Sequence, residues 1–229
     1  MRPVRPVRPV RPVRPVRPVR PVRPVRPLRP LLLAGLAFAL ACKPAPPKPF
    51  NGEGLSGPQI MPPLPKPDLV LTTTEGKQFD LKKETEGYIT LLFFGYTNCP
   101  DVCPVHMANI AGAMKRLGPD ITNRIKVVFV TVDPARDTPE VIRTWLDHFD
   151  QRFIGLRGDS ASVASAFTQL RLGQTQHEIV DSADTSRYNV GHTALVLAFG
   201  TDNMAHVVYP FGIRQQDWTK DLTLLVERS

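Results

Sequence analysis

The sequence predicts an α/β domain in which helices flank a mixed central sheet, and three observations carry that prediction. Tyr88–Phe94 and Ile125–Val132 are apolar runs without polar alternation, as strands covered on both faces are. Each is followed by apolar residues at helical spacing. Near the C-terminus two further strand-like runs stand next to each other, a juxtaposition that adds antiparallel pairing to an otherwise parallel order.

The domain is expected over residues 68–229. It opens with a β-hairpin, in which Leu69–Thr73 and Gln78–Leu81 flank the turn residues Glu75, Gly76 and Lys77. After the first buried strand, Val105, Ile110, Ala113, Met114 and Leu117 mark a helix that Gly118 and Pro119 stop. After the second, Asp137-Thr-Pro-Glu140 reads as a helix entry with Asp137 as the cap, leading into Val141, Ile142, Trp145, Leu146 and Phe149. A short strand near Phe153–Leu156, a helix over 160–170, an irregular stretch to Tyr188, strands over 193–199 and 205–209 and a helix over 215–226 complete the order.

Upstream of this domain the chain changes character twice. Residues 2–25 are eight copies of Arg-Pro-Val, and a basic stretch then leads into the eleven apolar residues Leu31–Ala41, followed by Cys42. That layout is an export signal, because the apolar run is too short for a bilayer core that needs roughly 20 residues. Ala39 and Ala41 fit ordinary signal cleavage and also fit a lipoprotein box ending at Cys42. Lipidation of Cys42 is the favoured reading, since plain cleavage leaves an unpaired exposed thiol in an oxidising compartment. The domain would then sit at the outer face of the cytoplasmic membrane, held by an N-terminal anchor. Residues 42–67 hold nine prolines and read as a semi-stiff tether.

The net charge of +8 belongs to the leader. Ten arginines lie in residues 1–41, and the remainder carries 19 basic against 21 acidic residues. A nucleic-acid partner is therefore not indicated.

Three cysteines do not make a disulfide framework. Cys99 and Cys103 bracket Pro100-Asp101-Val102 where a buried strand gives way to a helix. Open α/β sheets place ligands beyond the carboxyl ends of their strands, and a helix start favours the thiolate. Four residues apart, the two sulfurs can share one side of a first helical turn, and so either close a disulfide or chelate one soft cation.

Gly95-Tyr-Thr-Asn-Cys-Pro-Asp-Val-Cys-Pro104, Val130-Thr-Val-Asp-Pro-Ala-Arg-Asp-Thr-Pro139 and Val190-Gly-His-Thr-Ala194 resemble, in that order, the SCO/SenC family of copper-binding proteins in cytochrome c oxidase assembly. The resemblance covers essentially all of 68–229. It implies a thioredoxin-like fold, copper held by Cys99, Cys103 and His192, and a role in building the dinuclear copper centre of an oxidase subunit. Asn98 and Gly191 depart from the family pattern, where histidine and aspartate are common. Two thiolates and one imidazole suit Cu(I) by softness, with Cu(II) as the other oxidation state, whereas zinc usually takes a fourth ligand. A thioredoxin-type reductase carries a cis-proline where this chain has Gly191-His-Thr193, which favours metal binding over generic disulfide exchange.

Asp133, at the end of a buried strand, has two readings: turn chemistry, or a hydrogen bond to a group of the site. Asp137 is expected to do turn and capping work. His106 is expected on the exposed side of its helix, and His148, His177 and His206 at the surface. Two functions share the same sulfurs. One is a metallochaperone that takes copper from a donor protein and passes it to the copper-bearing oxidase subunit. The other is a thiol-disulfide oxidoreductase that keeps that subunit's cysteines reduced, with Cys99 attacking, Cys103 resolving and a thiol reductant upstream.

Overall fold

A computed structural model of the chain describes residues 53–179, 188–191 and 193–229. The leader, its repeats, Cys42 and His192 lie outside the described residues. Among those described, no helix is long and apolar enough to cross a membrane.

The elements run β1 (Gln59–Pro65), β2 (Val70–Thr73), β3 (Gln78–Asp80), α1 (Leu81–Glu84), β4 (Ile89–Gly95), α2 (Val102–Arg116), α3 (Pro119–Thr122), β5 (Ile125–Thr131), α4 (Pro139–Asp147), β6 (Ile154–Arg157), α5 (Ser160–Gln169), β7 (Gln176–Ile179), β8 (Tyr188–Gly191), β9 (Leu195–Phe199), β10 (Met204–Pro210) and α6 (Gln215–Glu227). Eight strands form one mixed sheet in the order β1-β10-β9-β4-β5-β6-β2-β3, while β7 and β8 pair separately. Strands β4, β5 and β6 are parallel neighbours and β9 runs antiparallel to β4, so the mixed α/β sheet follows the expectation. The hairpin predicted around Gly76 is β2 paired with β3, and Gly76 supplies its positive φ of 78°.

Every residue of β4 is buried, because both faces are covered. Phe93 and Phe129 lie side by side in the parallel register, beneath His106 of α2 and Trp145 of α4, with ring centroids 5.2 and 5.0 Å apart respectively. Phe94 points the other way and meets Phe167 of α5 edge-on at 4.7 Å. This stack of packed rings holds the carboxyl ends of β4 and β5 rigid, and the cysteine segment leaves from there.

Two boundaries need correction. The tether expected over 42–67 ends earlier, because β1 adds to the sheet edge against β10, with Leu64 opposite Ala205 and Pro65 opposite Met204. Pro62, Pro63 and Pro65 are tolerated since an edge strand needs partners on one side only, and the register shifts between Gln59 and Leu64. Ahead of it, the Ser56 amide donates to Asp221 of α6 at 2.6 Å, so this stretch already belongs to the domain. The irregular stretch expected up to Tyr188 contains the β7–β8 ladder, where His177 pairs with Val190. The strand expected from Thr193 begins at Leu195.

Lys66, assigned to the tether on composition, is buried at 1% exposure. Its ammonium donates to Thr85 and Thr90 hydroxyls at 2.7 and 3.2 Å, and burial pushes its pKa down to about 8 from 10.5. Between those values the unfolded chain binds more protons than the native one, so stability rises with pH over that window and is lowest below pH 8. Both threonine hydroxyls also donate to carbonyls, of Leu81 and Tyr88, so neither is orphaned without the lysine. Lys66→Met is expected to abolish the rise between about pH 8 and 10.5 and to leave the pH 7 melting temperature unchanged or higher. Thermal melts at pH 7, 9 and 10.5 check this.

Candidate metal centre

Strand β4 ends at Gly95, and the loop Tyr96–Asp101 carries Cys99 to the start of α2. A Cβ on Gly95 would stand 3.0 Å from the Cys103 sulfur and 2.9 Å from the Phe93 ring, so only glycine leaves room for that thiol at the strand end. Cys103, in the first turn of α2, is fully buried, whereas Cys99 is half-buried and no disulfide joins them.

Asp101 caps α2 without a side-chain hydrogen bond. The Cys103 amide, one of the donors a helix start leaves unpaired, instead donates to the Cys99 sulfur at 3.4 Å. That N–H favours a thiolate on Cys99. The Cys103 thiol is pushed well above its ordinary range by its hydrogen bond with Cys99, by burial and by the charge on Cys99. Cys103 thus holds its proton, which a soft cation would displace on binding.

The loop is fixed from below by Asp137. Its buried carboxylate accepts the Thr97 amide at 3.1 Å, the Thr97 hydroxyl at 2.5 Å and the Thr131 hydroxyl at 2.6 Å. Capping of α4, expected from Asp137, falls to Thr138, whose hydroxyl accepts from the Val141 amide. Tertiary packing turned Asp137 inward, because three donors at the ends of β4 and β5 need one acceptor. Burial raises its pKa, outweighing the hydrogen bonds from Thr131 and Thr97 that lower it.

Asp133 is also buried, and its contacts run to β8. It accepts from the Tyr188 hydroxyl at 2.8 Å and is ion-paired with Arg136, whose Nη1 donates to the Tyr188 carbonyl at 2.9 Å. The Arg136 guanidinium lies 3.7 Å from the Tyr188 ring centroid.

His106, expected at the surface, is 2% exposed. Its Nε2 donates to the Ala194 carbonyl at 3.3 Å, and its ring sits between Phe93 and Phe211. Cys103, Met107 and Ile110 share its buried helix face, yet a lone histidine in that stripe gives no signal of its backbone partner. His206 pairs with Asp202 at 2.7 Å, and His148 closes α4. Among the described residues no three His, Cys, Asp or Glu side chains stand together as a metal site. The structure brings Cys99 and Cys103 together; His192 falls in the undescribed position between Gly191 and Thr193.

The sequence model of the SCO1/SenC family matches residues 62–227. This chain belongs to the SCO1/SenC family. The match begins inside β1, in agreement with the domain starting before residue 68. The SCO2-like protein of Rickettsia felis is 36% identical over 100 residues, 42% of this chain and 46% of that protein. The mitochondrial protein SCO2 of Saccharomyces cerevisiae is 35% identical over 95 residues, 42% and 31% of the two chains. The chain thus spans about half the length, or less, of these relatives. Among solved structures, copper-bound ScoI of Bradyrhizobium japonicum is 31% identical with a TM-score of 0.59, covering 74% of this chain and 98% of that one. Apo Sco1 of Thermus thermophilus is 29% identical with a TM-score of 0.66, covering 75% and 96%. The fold is that of these Sco proteins, thioredoxin-like with a central mixed sheet.

Proposed function

We propose that this SCO1/SenC chain is a copper metallochaperone that holds one Cu(I) between the Cys99 and Cys103 thiolates and the His192 imidazole, and passes it to the dinuclear copper centre of a cytochrome c oxidase subunit. The observation that carries the reading is the pair of sulfurs at the mouth of the sheet, linked by the Cys103 amide on the Cys99 sulfur in a loop braced by Asp137. A soft, low-coordinate donor set of this kind suits Cu(I). Copper stands in the ScoI structure of B. japonicum. Binding would displace the proton held by Cys103, so affinity should rise with pH.

The test is a competitive Cu(I) titration of the reduced chain. One equivalent is expected to bind, His192→Ala is expected to lose about tenfold or more in affinity, and disulfide formation in that variant is expected to stay intact. Full affinity in His192→Ala would remove that residue from the ligand set.

A second reading, reduction of disulfides in the oxidase subunit, is favoured by the unequal exposure of the sulfurs. Cys99 is open to attack a partner disulfide, and buried Cys103 is placed to resolve it. For the leader we propose export and lipid attachment at Cys42, which would hold the domain at the outer face of the cytoplasmic membrane. The intact mass of the mature protein is expected to carry lipid on Cys42; an unmodified chain starting there overturns the assignment.

A further inference from the structure

We infer that Arg157 is a positioning residue, which fixes the turn over 134–137 and, through the Asp137 carboxylate, the loop that carries Cys99. The inference rests on the reading that Cys99 and Cys103 are the working pair.

The register of the parallel strands sets the geometry. Gly95 of β4 stands opposite Thr131 of β5, and Val130 stands opposite Leu156 of β6, so Arg157 lies at the height where the cysteine loop departs. Two strand spacings, roughly 10 Å, separate its backbone from that of Gly95. The chain that leaves β5 fills the interval. That turn pairs its own amides, since the Arg136 and Asp137 N–H groups both donate to the Asp133 carbonyl, at 3.2 and 3.0 Å. Two of its carbonyls are taken by Arg157, which donates from Nη2 to Pro134 at 2.9 Å and from Nε to Asp137 at 3.2 Å. One planar guanidinium thus grips both ends of the turn, which a single ammonium reproduces only in part.

Arg157 spends its donors in an unusual way for this chain. Arg136, Arg143, Arg152 and Arg214 each pair with an aspartate, whereas among the described residues no carboxylate pairs with Arg157. A half-buried guanidinium directed at two carbonyls of one turn is a clamp on that backbone. The clamp matters because the turn ends at Asp137, whose carboxylate accepts the Thr97 amide and the Thr97 and Thr131 hydroxyls. Thr97 lies two residues before Cys99. The contacts from β6 to the cysteine loop therefore pass through one residue, held at its carbonyl by Arg157 and holding the loop with its side chain. Arg157 thereby limits how far Cys99 strays from Cys103, which lowers the ordering cost of closing the pair on a soft cation.

Two variants test this: Arg157→Met keeps most of the stem and removes every donor, and Arg157→Lys keeps one charged donor. In the reduced, metal-free protein, the Thr97 amide is expected to exchange roughly tenfold faster in Arg157→Met, with the Leu91 and Leu92 amides of β4 unchanged. Unchanged exchange at Thr97, or equal quickening along β4, overturns the positioning role. In an Asp137→Ala background the same substitution should add nothing at Thr97, and a further acceleration of similar size there would overturn the route through Asp137. Cu(I) affinity is expected to fall about tenfold in Arg157→Met and to recover in part in Arg157→Lys. Wild-type affinity in a variant whose Thr97 amide is loosened would also overturn the inference. If the wild type itself takes up no Cu(I), the copper reading fails on its own, and the equilibrium between dithiol and disulfide, measured against dithiothreitol, becomes the readout. Arg157→Met is then expected to shift it toward the dithiol by about threefold or more, since a looser loop lowers the effective concentration of one sulfur for the other; an unmoved equilibrium overturns the positioning role.

Discussion

Cys103→Ser is expected to abolish Cu(I) binding, a loss beyond the roughly 10- to 100-fold that changes outside the ligand set cost. A serine hydroxyl is a hard, feebly acidic donor, and the buried position it would occupy admits no substitute ligand from solvent. Cys99→Ser should be as damaging to copper affinity, since it too replaces a soft thiolate of the ligand set with a hard hydroxyl. The two variants part company in thiol chemistry. Cys103→Ser leaves the accessible Cys99 without its resolving partner, so with a disulfide-bearing peptide it should accumulate a mixed disulfide at Cys99. Cys99→Ser should not, because the remaining thiol is fully buried and out of reach of a partner disulfide. Competitive titration and intact mass read the two effects separately. Copper retained at full affinity by either variant would dismiss the two-thiolate site.

Asp137→Ala is expected to cost about 3 kcal/mol of stability, or roughly 6–12 °C in melting temperature for a domain of this size. The change strips the Thr97 amide and the Thr97 and Thr131 hydroxyls of a shared acceptor at the base of the cysteine loop. Asp137→Asn keeps one acceptor oxygen and should lose less than half as much. The pH dependence follows from burial having raised the native carboxyl above its unfolded value. In the window between the two values the native chain binds the extra proton, so this group's contribution falls as pH rises. The gap between wild type and Asp137→Ala should therefore be widest in acid, below the ordinary carboxylate range, and shrink as pH climbs through the raised native value. Melts of the three proteins across pH 3–8 measure it. A gap that instead widens steadily toward neutrality would mean that the carboxylate is held ionised by its donors.

Local chemistry was legible wherever a pattern repeats along the chain. The uninterrupted apolar runs of β4 and β5 announced strands covered on both faces, and the 3.6-residue spacing after each announced the crossover helices. The Cys99-Pro-Asp-Val-Cys103 segment at a strand-to-helix junction marked the site. What composition hid was any element whose partner lies far away in sequence. The proline-rich 59–65 stretch looked like linker because its partner, β10, comes some 140 residues later. The β7–β8 ladder is short, and of β8 only Val190 is buried. Asp137 and His106 depart from expectation for one reason: the groups that hold them, Thr97 and Ala194, are neighbours in space and not in sequence.

From its sequence alone the chain declared its layers, the succession of strands and helices along it and the two sulfurs, because hydrophobic period and residue type are local properties. Only the tertiary structure decided which sulfur is covered and which buried polar groups brace the loop that carries Cys99. Those outcomes depend on which donors and acceptors meet once both faces of the sheet are closed to water, and no spacing along a chain encodes that meeting.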